Sequence, residues 1–87
     1  PASSPRAGHE ELFQALRALR KRLAEEEGVP PFIIFGDATL LEMASLCPGD
    51  EAALLQVSGV GRHKLARYGR QFLAEIGSYQ ARRQGTG

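Results

Sequence analysis

From Val57 to Lys64 the chain reads Val-Ser-Gly-Val-Gly-Arg-His-Lys, a spacing suited to presenting backbone amides to a phosphate. Gly59 and Gly61 admit φ > 0 and close approach by another chain, and Val60 between them is placed to plug the turn into a core. The amides of Gly61, Arg62 and His63 would then open a helix, where unpaired N–H groups and the positive end of the dipole favour an anion. Arg62, Lys64 and Arg67 stand close enough to add charge. The plainer reading is a tight interhelical turn that needs glycine and contacts nothing.

The surrounding charge favours the first reading. The net charge of +1 hides an uneven distribution. From Gly59 onward the cations are Arg62, Lys64, Arg67, Arg70, Arg82 and Arg83 against one acid, Glu75. From Asp37 to Glu51 the acids Asp37, Glu42, Asp50 and Glu51 stand without a cation. One side suits a phosphate backbone, and the acidic side suits docking on a basic protein surface, although either run can be only a solvated face. The hairpin spacing also resembles the helix-hairpin-helix of non-sequence-specific DNA-binding proteins.

Other chemistry finds little support. His9 and His63 have no partner at metal-ligand spacing, so no metal is expected. Asp37 and Asp50 read as helix caps rather than general bases, and no nucleophile, paired base or cofactor motif accompanies them. Catalysis by this stretch is therefore not expected, and neither is a cofactor. Cys47, the one cysteine, lies on an apolar helix face before Pro48, reads as a buried structural thiol, and suits a reducing, cytoplasmic setting.

At 87 residues there is room for one domain with one modest core, and no run is long or apolar enough for a membrane span. Residues 1–9, with Pro1, Ser3, Ser4, Pro5 and Gly8, read as a linker or an expression remnant. Residues 10–81 read as the domain, and 82–87 as a flexible tail whose arginines add nonspecific attraction. The chain reads as a monomeric module cut from something larger.

The elements that must hold these residues are helical. Leu12, Leu16, Leu19 and Leu23 recur at helical spacing, which predicts an amphipathic helix over Glu10 to Glu27, ended by Gly28 and Pro30-Pro31. Phe32-Ile33-Ile34-Phe35 is β-prone but has no partner strand, so it is expected as an extended linker laying apolar side chains across the helices, with Phe35 in the core. Asp37 is expected to cap a second helix with Leu40, Met43, Ala44 and Cys47 inward, Thr39 and Glu42 offering an alternative capping-box register. Asp50 caps a short third helix through Gln56. A fourth runs from Arg62 to Tyr68 and stops at Gly69, and a fifth from Arg70 to Arg82 packs back through Phe72, Leu73, Ile76 and Tyr79. The expected fold is all-α, a compact bundle of about five short helices with a helix-hairpin-helix-like element and an extended Pro-Pro linker after the first helix.

The run Val29-Pro30-Pro31-Phe32-Ile33-Ile34-Phe35-Gly36-Asp37-Ala38-Thr39-Leu40-Leu41-Glu42-Met43-Ala44, followed by Val57-Ser58-Gly59-Val60-Gly61, Lys64-Leu65 and Tyr68-Gly69, resembles the HRDC domain (helicase and RNase D C-terminal). The Pro-Pro-aromatic wording is most similar to that of bacterial RecQ DNA helicases, with ribonuclease D as a looser second host. The resemblance covers Glu10 to Tyr79. It implies a helical bundle tethered to an ATP-dependent 3'-5' helicase active in DNA repair and recombination at the bacterial nucleoid, serving as an auxiliary, regulatory contact to single-stranded or junction DNA and to the other helicase domains.

The resemblance further implies single-strand binding through Phe32, where tyrosine is often found, and through Arg17, Arg20 and Lys21 of the first helix. The residues themselves equally fit Phe32 packed under the first helix and a basic strip that is only solvated helix surface, offset by Glu10, Glu25, Glu26 and Glu27. The residue-level reading puts phosphate contacts on Gly59, Gly61, Arg62, Lys64 and Arg67. An alternative is a regulatory protein-interaction module docking through Asp37, Glu42, Asp50 and Glu51. The ATP-binding motif of the motor is absent, since Gly59 to Lys64 does not imitate a P-loop.

Overall fold

The computed structural model describes the backbone of residues 5–85 and the side chains of residues 10–82. Five helices follow one another: α1 (Pro5–Glu27), α2 (Pro31–Ile34), α3 (Asp37–Leu46), α4 (Glu51–Leu55) and α5 (Arg62–Gly85), with no strand among the described residues. The all-α expectation holds, but several boundaries move.

The first helix begins at Pro5 instead of Glu10, so residues 5–9 are helical in backbone rather than linker. A proline suits a first helical turn because its φ is already near the helical value and its missing N–H would find no partner there. The leucine stripe behaves as its period demands, with Leu12, Leu16, Leu19 and Leu23 all buried.

The expected extended linker over Phe32 to Phe35 is instead the single turn α2. Pro31 stands at its start, Pro30 precedes it in an extended conformation, and the Ile33 N–H donates to the Pro30 carbonyl at 3.0 Å. That turn sends Ile34 and Phe35 inward and leaves Phe32 66% exposed. Phe35 becomes the aromatic centre of the core, edge-on to Phe72 with centroids 5.0 Å apart and to Tyr68 at 6.1 Å. Such pairs add about 0.5–1.5 kcal/mol each beyond simple burial.

The two expected C-terminal helices are one, α5, continuous through Gly69 and on past Arg82 to Gly85, so the expected tail is helical over 82–85. Gly69 continues the helix rather than ending it. A Cβ there would lie 2.7 Å from Leu65 Cδ1, one turn earlier on the same helix, and at an ordinary 3.7 Å from Leu54 Cδ2 of α4. Helices α1 and α5 run antiparallel. The Tyr68 hydroxyl donates to Glu27 at 2.8 Å at one end, and the Tyr79 hydroxyl to Glu11 at 3.4 Å at the other.

Helix α3 ends at Cys47, which is half-buried in a left-handed conformation (φ 48°) with its N–H donating to Met43 O at 2.8 Å. Asp50 caps α4 as expected, accepting from the Ala53 N–H at 2.8 Å. Asp37, by contrast, is the first residue of α3, and the cap position is Gly36, with no side-chain cap.

Candidate nucleic-acid interface

Among the described residues, two grooves are lined by basic side chains. The first lies between α1 and α2, has a volume of about 330 Å³, and is lined by Gln14, Arg17, Ala18, Arg20, Lys21 and Pro31. Arg17, Ala18 and Lys21 present themselves on one flank because residues three and four apart share a helix face. Arg17 and Lys21 are exposed, and the Arg17 guanidinium lies 5.7 Å from the Phe13 ring centroid. The α2 turn brings Pro31 to the same groove and leaves the next residue, Phe32, exposed. An exposed aromatic face can stack a base, and solvated cations can meet the backbone.

Arg20, expected among the contacts of this strip, has another role. It is 7% exposed, donating through Nη1 to the Phe35 carbonyl at 3.0 Å and pairing with Asp37 Oδ1 at 2.8 Å. Arg20 lies one turn from buried Leu16 and one from buried Ala24, so its stem enters the core and its guanidinium locks the α2–α3 connection to α1. Its Nε has no hydrogen-bond partner.

The second groove lies between α4 and the first turns of α5. It has a volume of about 450 Å³ and is lined by Glu51, Arg62, Leu65, Ala66, Arg67, Arg70 and Gln71. Just before it lies the glycine hairpin, whose geometry differs from the expected cradle. Gly59 alone of the pair has a positive φ (91°), and the space its side chain would fill is taken by the Thr39 hydroxyl. The close approach that Gly59 allows is therefore to this chain's own α3.

Thr39 and Glu42, expected as an alternative helix start, clamp the hairpin instead. The Thr39 hydroxyl donates to Ser58 O at 2.9 Å, and the Ser58 N–H donates to Glu42 Oε2 at 3.2 Å. Val57 and Val60 are buried, as the plug reading requires, while Gly61 is exposed with open space on its Cβ side. Glu42 sets a carboxylate against the hairpin backbone, which opposes an incoming phosphate there.

The cations after the hairpin divide into engaged and unengaged. The half-buried Lys64 holds its ammonium 5.6 Å from the Phe35 ring centroid. Arg67 pairs with Glu27 at 3.2 Å, donates through Nε to the Tyr68 hydroxyl at 3.4 Å, and lies 5.4 Å from that ring. The Tyr68 hydroxyl, and then the Glu27 carboxylate, hold the Arg67 guanidinium above its ordinary range. Arg62 and Arg70 are exposed and enter no ion pair among the described residues.

Three of the four acids expected as a docking face are occupied inside the domain: Asp37 by Arg20, Glu42 by Ser58 and Asp50 by Ala53. Only Glu51 is without such a contact, and it lines the second groove. No group of three or more metal-ligating side chains occurs among the described residues, and no helix there is long and apolar enough to cross a membrane.

A five-helix bundle that builds basic grooves around a single aromatic-centred core defines a small helical module. The family model described as the HRDC domain matches residues 9–76, and the chain belongs to that family. It is 51% identical over 71 residues to the ATP-dependent DNA helicase RecQ of Bacillus subtilis, a match covering 82% of this chain and 12% of the relative. Against the ATP-dependent DNA helicase UvrD2 of Mycobacterium tuberculosis it is 42% identical over 64 residues, covering 74% of this chain and 9% of that helicase. Among solved structures, D. radiodurans RecQ HRDC domain 3 superposes with a TM-score of 0.78 at 36% identity, covering 80% of this chain and 92% of that one. The chain thus spans about an eighth or less of the length of these curated relatives.

Proposed function

We propose that this HRDC domain is the auxiliary nucleic-acid contact of a RecQ-type ATP-dependent DNA helicase, binding single-stranded or junction DNA weakly and without sequence preference. The similarity to RecQ helicases supports the host. The observation that carries the reading is the α1–α2 groove, lined by Arg17, Lys21 and Pro31, with an exposed aromatic, Phe32, on the very next residue of the chain. In the free domain this apolar ring faces water, and stacking a base on it is worth roughly 1–3 kcal/mol. Phosphate contacts from the two cations add a term that weakens with salt. Tethering makes weak affinity useful, since a second contact on the same chain acts at the high effective concentration set by the linker. In this reading the domain tunes which DNA structures the motor engages.

The test is fluorescence anisotropy with a labelled single-stranded oligonucleotide at two salt concentrations. Phe32→Ala should weaken binding by roughly five- to 150-fold, the range that follows from losing one stacked base, and Arg17→Gln/Lys21→Gln should weaken it most at low salt. Because all three side chains are exposed, melting temperatures should hold. Unchanged isotherms for both variants would remove the groove from the account.

A further inference from the structure

Resting on that reading, we propose that the α4–α5 groove is a second phosphodiester site, built from different helices and gripping a nucleic-acid backbone through Arg62 and Arg70. Arg62, Ala66 and Arg70 succeed one another every four residues on α5, and all three are exposed. Eight residues of helix separate the two guanidinium-bearing positions by about 12 Å along the axis. Ala66 between them has no side chain beyond Cβ, so the line is unobstructed, and the groove of about 450 Å³ beside it is floored in part by Leu65. Gln71 lines the same groove and adds an amide donor.

The other cations of this region have internal partners, whereas Arg62 and Arg70 have none among the described residues. Their positions bring no evident gain in stability. The first turn of α5 carries Arg62, His63 and Lys64 with no acid, which sets cations against the positive end of the dipole. Two planar guanidiniums spaced along a groove suit a ligand with repeated anions that accept bidentate hydrogen bonds, and a phosphodiester backbone is that ligand. Glu51 lines the opposite wall. Its carboxylate repels the same ligand and moderates affinity.

The assay uses the chain as it stands, with two labelled probes, a single-stranded oligonucleotide and a forked duplex, titrated across a salt series. Arg62→Gln/Arg70→Gln should flatten the plot of log affinity against log salt by about 1.4 on the single strand and about 1.8 on duplex, the change expected for two lost phosphate contacts. Glu51→Gln should tighten binding at low salt. The Arg17→Gln/Lys21→Gln variant should keep the α5 contribution, so that combining both pairs weakens binding beyond either. Wild-type slopes in Arg62→Gln/Arg70→Gln, alongside loss of binding in Arg17→Gln/Lys21→Gln, would overturn the second site and leave the first standing. Absence of wild-type binding at low salt would overturn both. Displacement of the oligonucleotide by polyglutamate at matched charge as readily as by unlabelled DNA would overturn the phosphodiester assignment.

Discussion

Replacing Arg20 by alanine separates a structural cation from a binding one. The side chain donates to the Phe35 carbonyl at 3.0 Å in a buried setting. Leaving that carbonyl without a charged donor costs about 1.5–3 kcal/mol. Two buried methylenes of the stem contribute about 1.6 kcal/mol more at roughly 0.8 each. The Asp37 pair adds little, since the Asp37 side chain is 67% exposed and water screens it. Removing the guanidinium also removes the unpartnered Nε, which returns about 1–2 kcal/mol.

The net expectation for Arg20→Ala is a loss of about 1–3.5 kcal/mol, which in a domain of this size lowers the melting temperature by roughly 4–28 °C. Arg20→Met retains the stem and should lose less. Urea and thermal denaturation followed by circular dichroism give the numbers, with Arg17→Ala as an exposed control that should melt like the wild type. DNA titrations on folded Arg20→Met at low temperature should match the parent. A variant at Arg20 that melts like the parent and yet loses DNA binding would refute the assignment.

Changes at three further positions test the local structure. Gly59→Ala places a methyl where the Thr39 hydroxyl sits and imposes φ of 91° on a residue with a Cβ, so it should destabilise by about 2–3 kcal/mol in urea unfolding. Gly69→Ala should stay within about 1 kcal/mol of the parent, because the gain in helix propensity offsets a shift of the Leu65 tip; a glycine that ended the helix would make the same change clearly destabilising. Asp50→Ala should lose about 1 kcal/mol with the cap of α4, and Asp50→Asn should recover most of it.

Periodicity made much of this fold legible. The stripe Leu12, Leu16, Leu19, Leu23 is buried as its spacing requires, as are Phe72, Ile76 and Tyr79 of the expected inward set while its fourth member, Leu73, is only half-buried, and Asp50 announced its helix. Glycine and proline misled where they serve a purpose other than interruption. Gly69 reads as a stop by type, yet the helix runs through it, and the side chain that crowds the position is Leu65 one turn earlier. Pro31 reads as a breaker, yet at the first position of a turn it starts one.

The site was legible in part. Phe32, Arg17 and Lys21 are expected from the resemblance; Arg17 and Lys21 line one groove with Pro31, and Phe32 is exposed outside that lining. Arg20 carried a signal that charge alone obscured, its spacing of four from both Leu16 and Ala24. The Thr39 and Glu42 contacts to Ser58 span 19 and 16 residues of sequence and were not legible. Arg70 and Gln71 emerge as groove residues only when α5 is seen to continue through the region expected to break.

The central claim is that nucleic acid meets the α1–α2 groove, and amide chemical-shift mapping tests it most directly. Titrating the isotopically labelled chain with a single-stranded oligonucleotide should shift Gln14, Arg17, Ala18, Lys21 and Phe32 in a saturable, salt-sensitive manner, while the α3 amides from Ala38 to Leu46 stay in place. Shifts confined to α3, or none around Phe32 at saturating oligonucleotide, would contradict it.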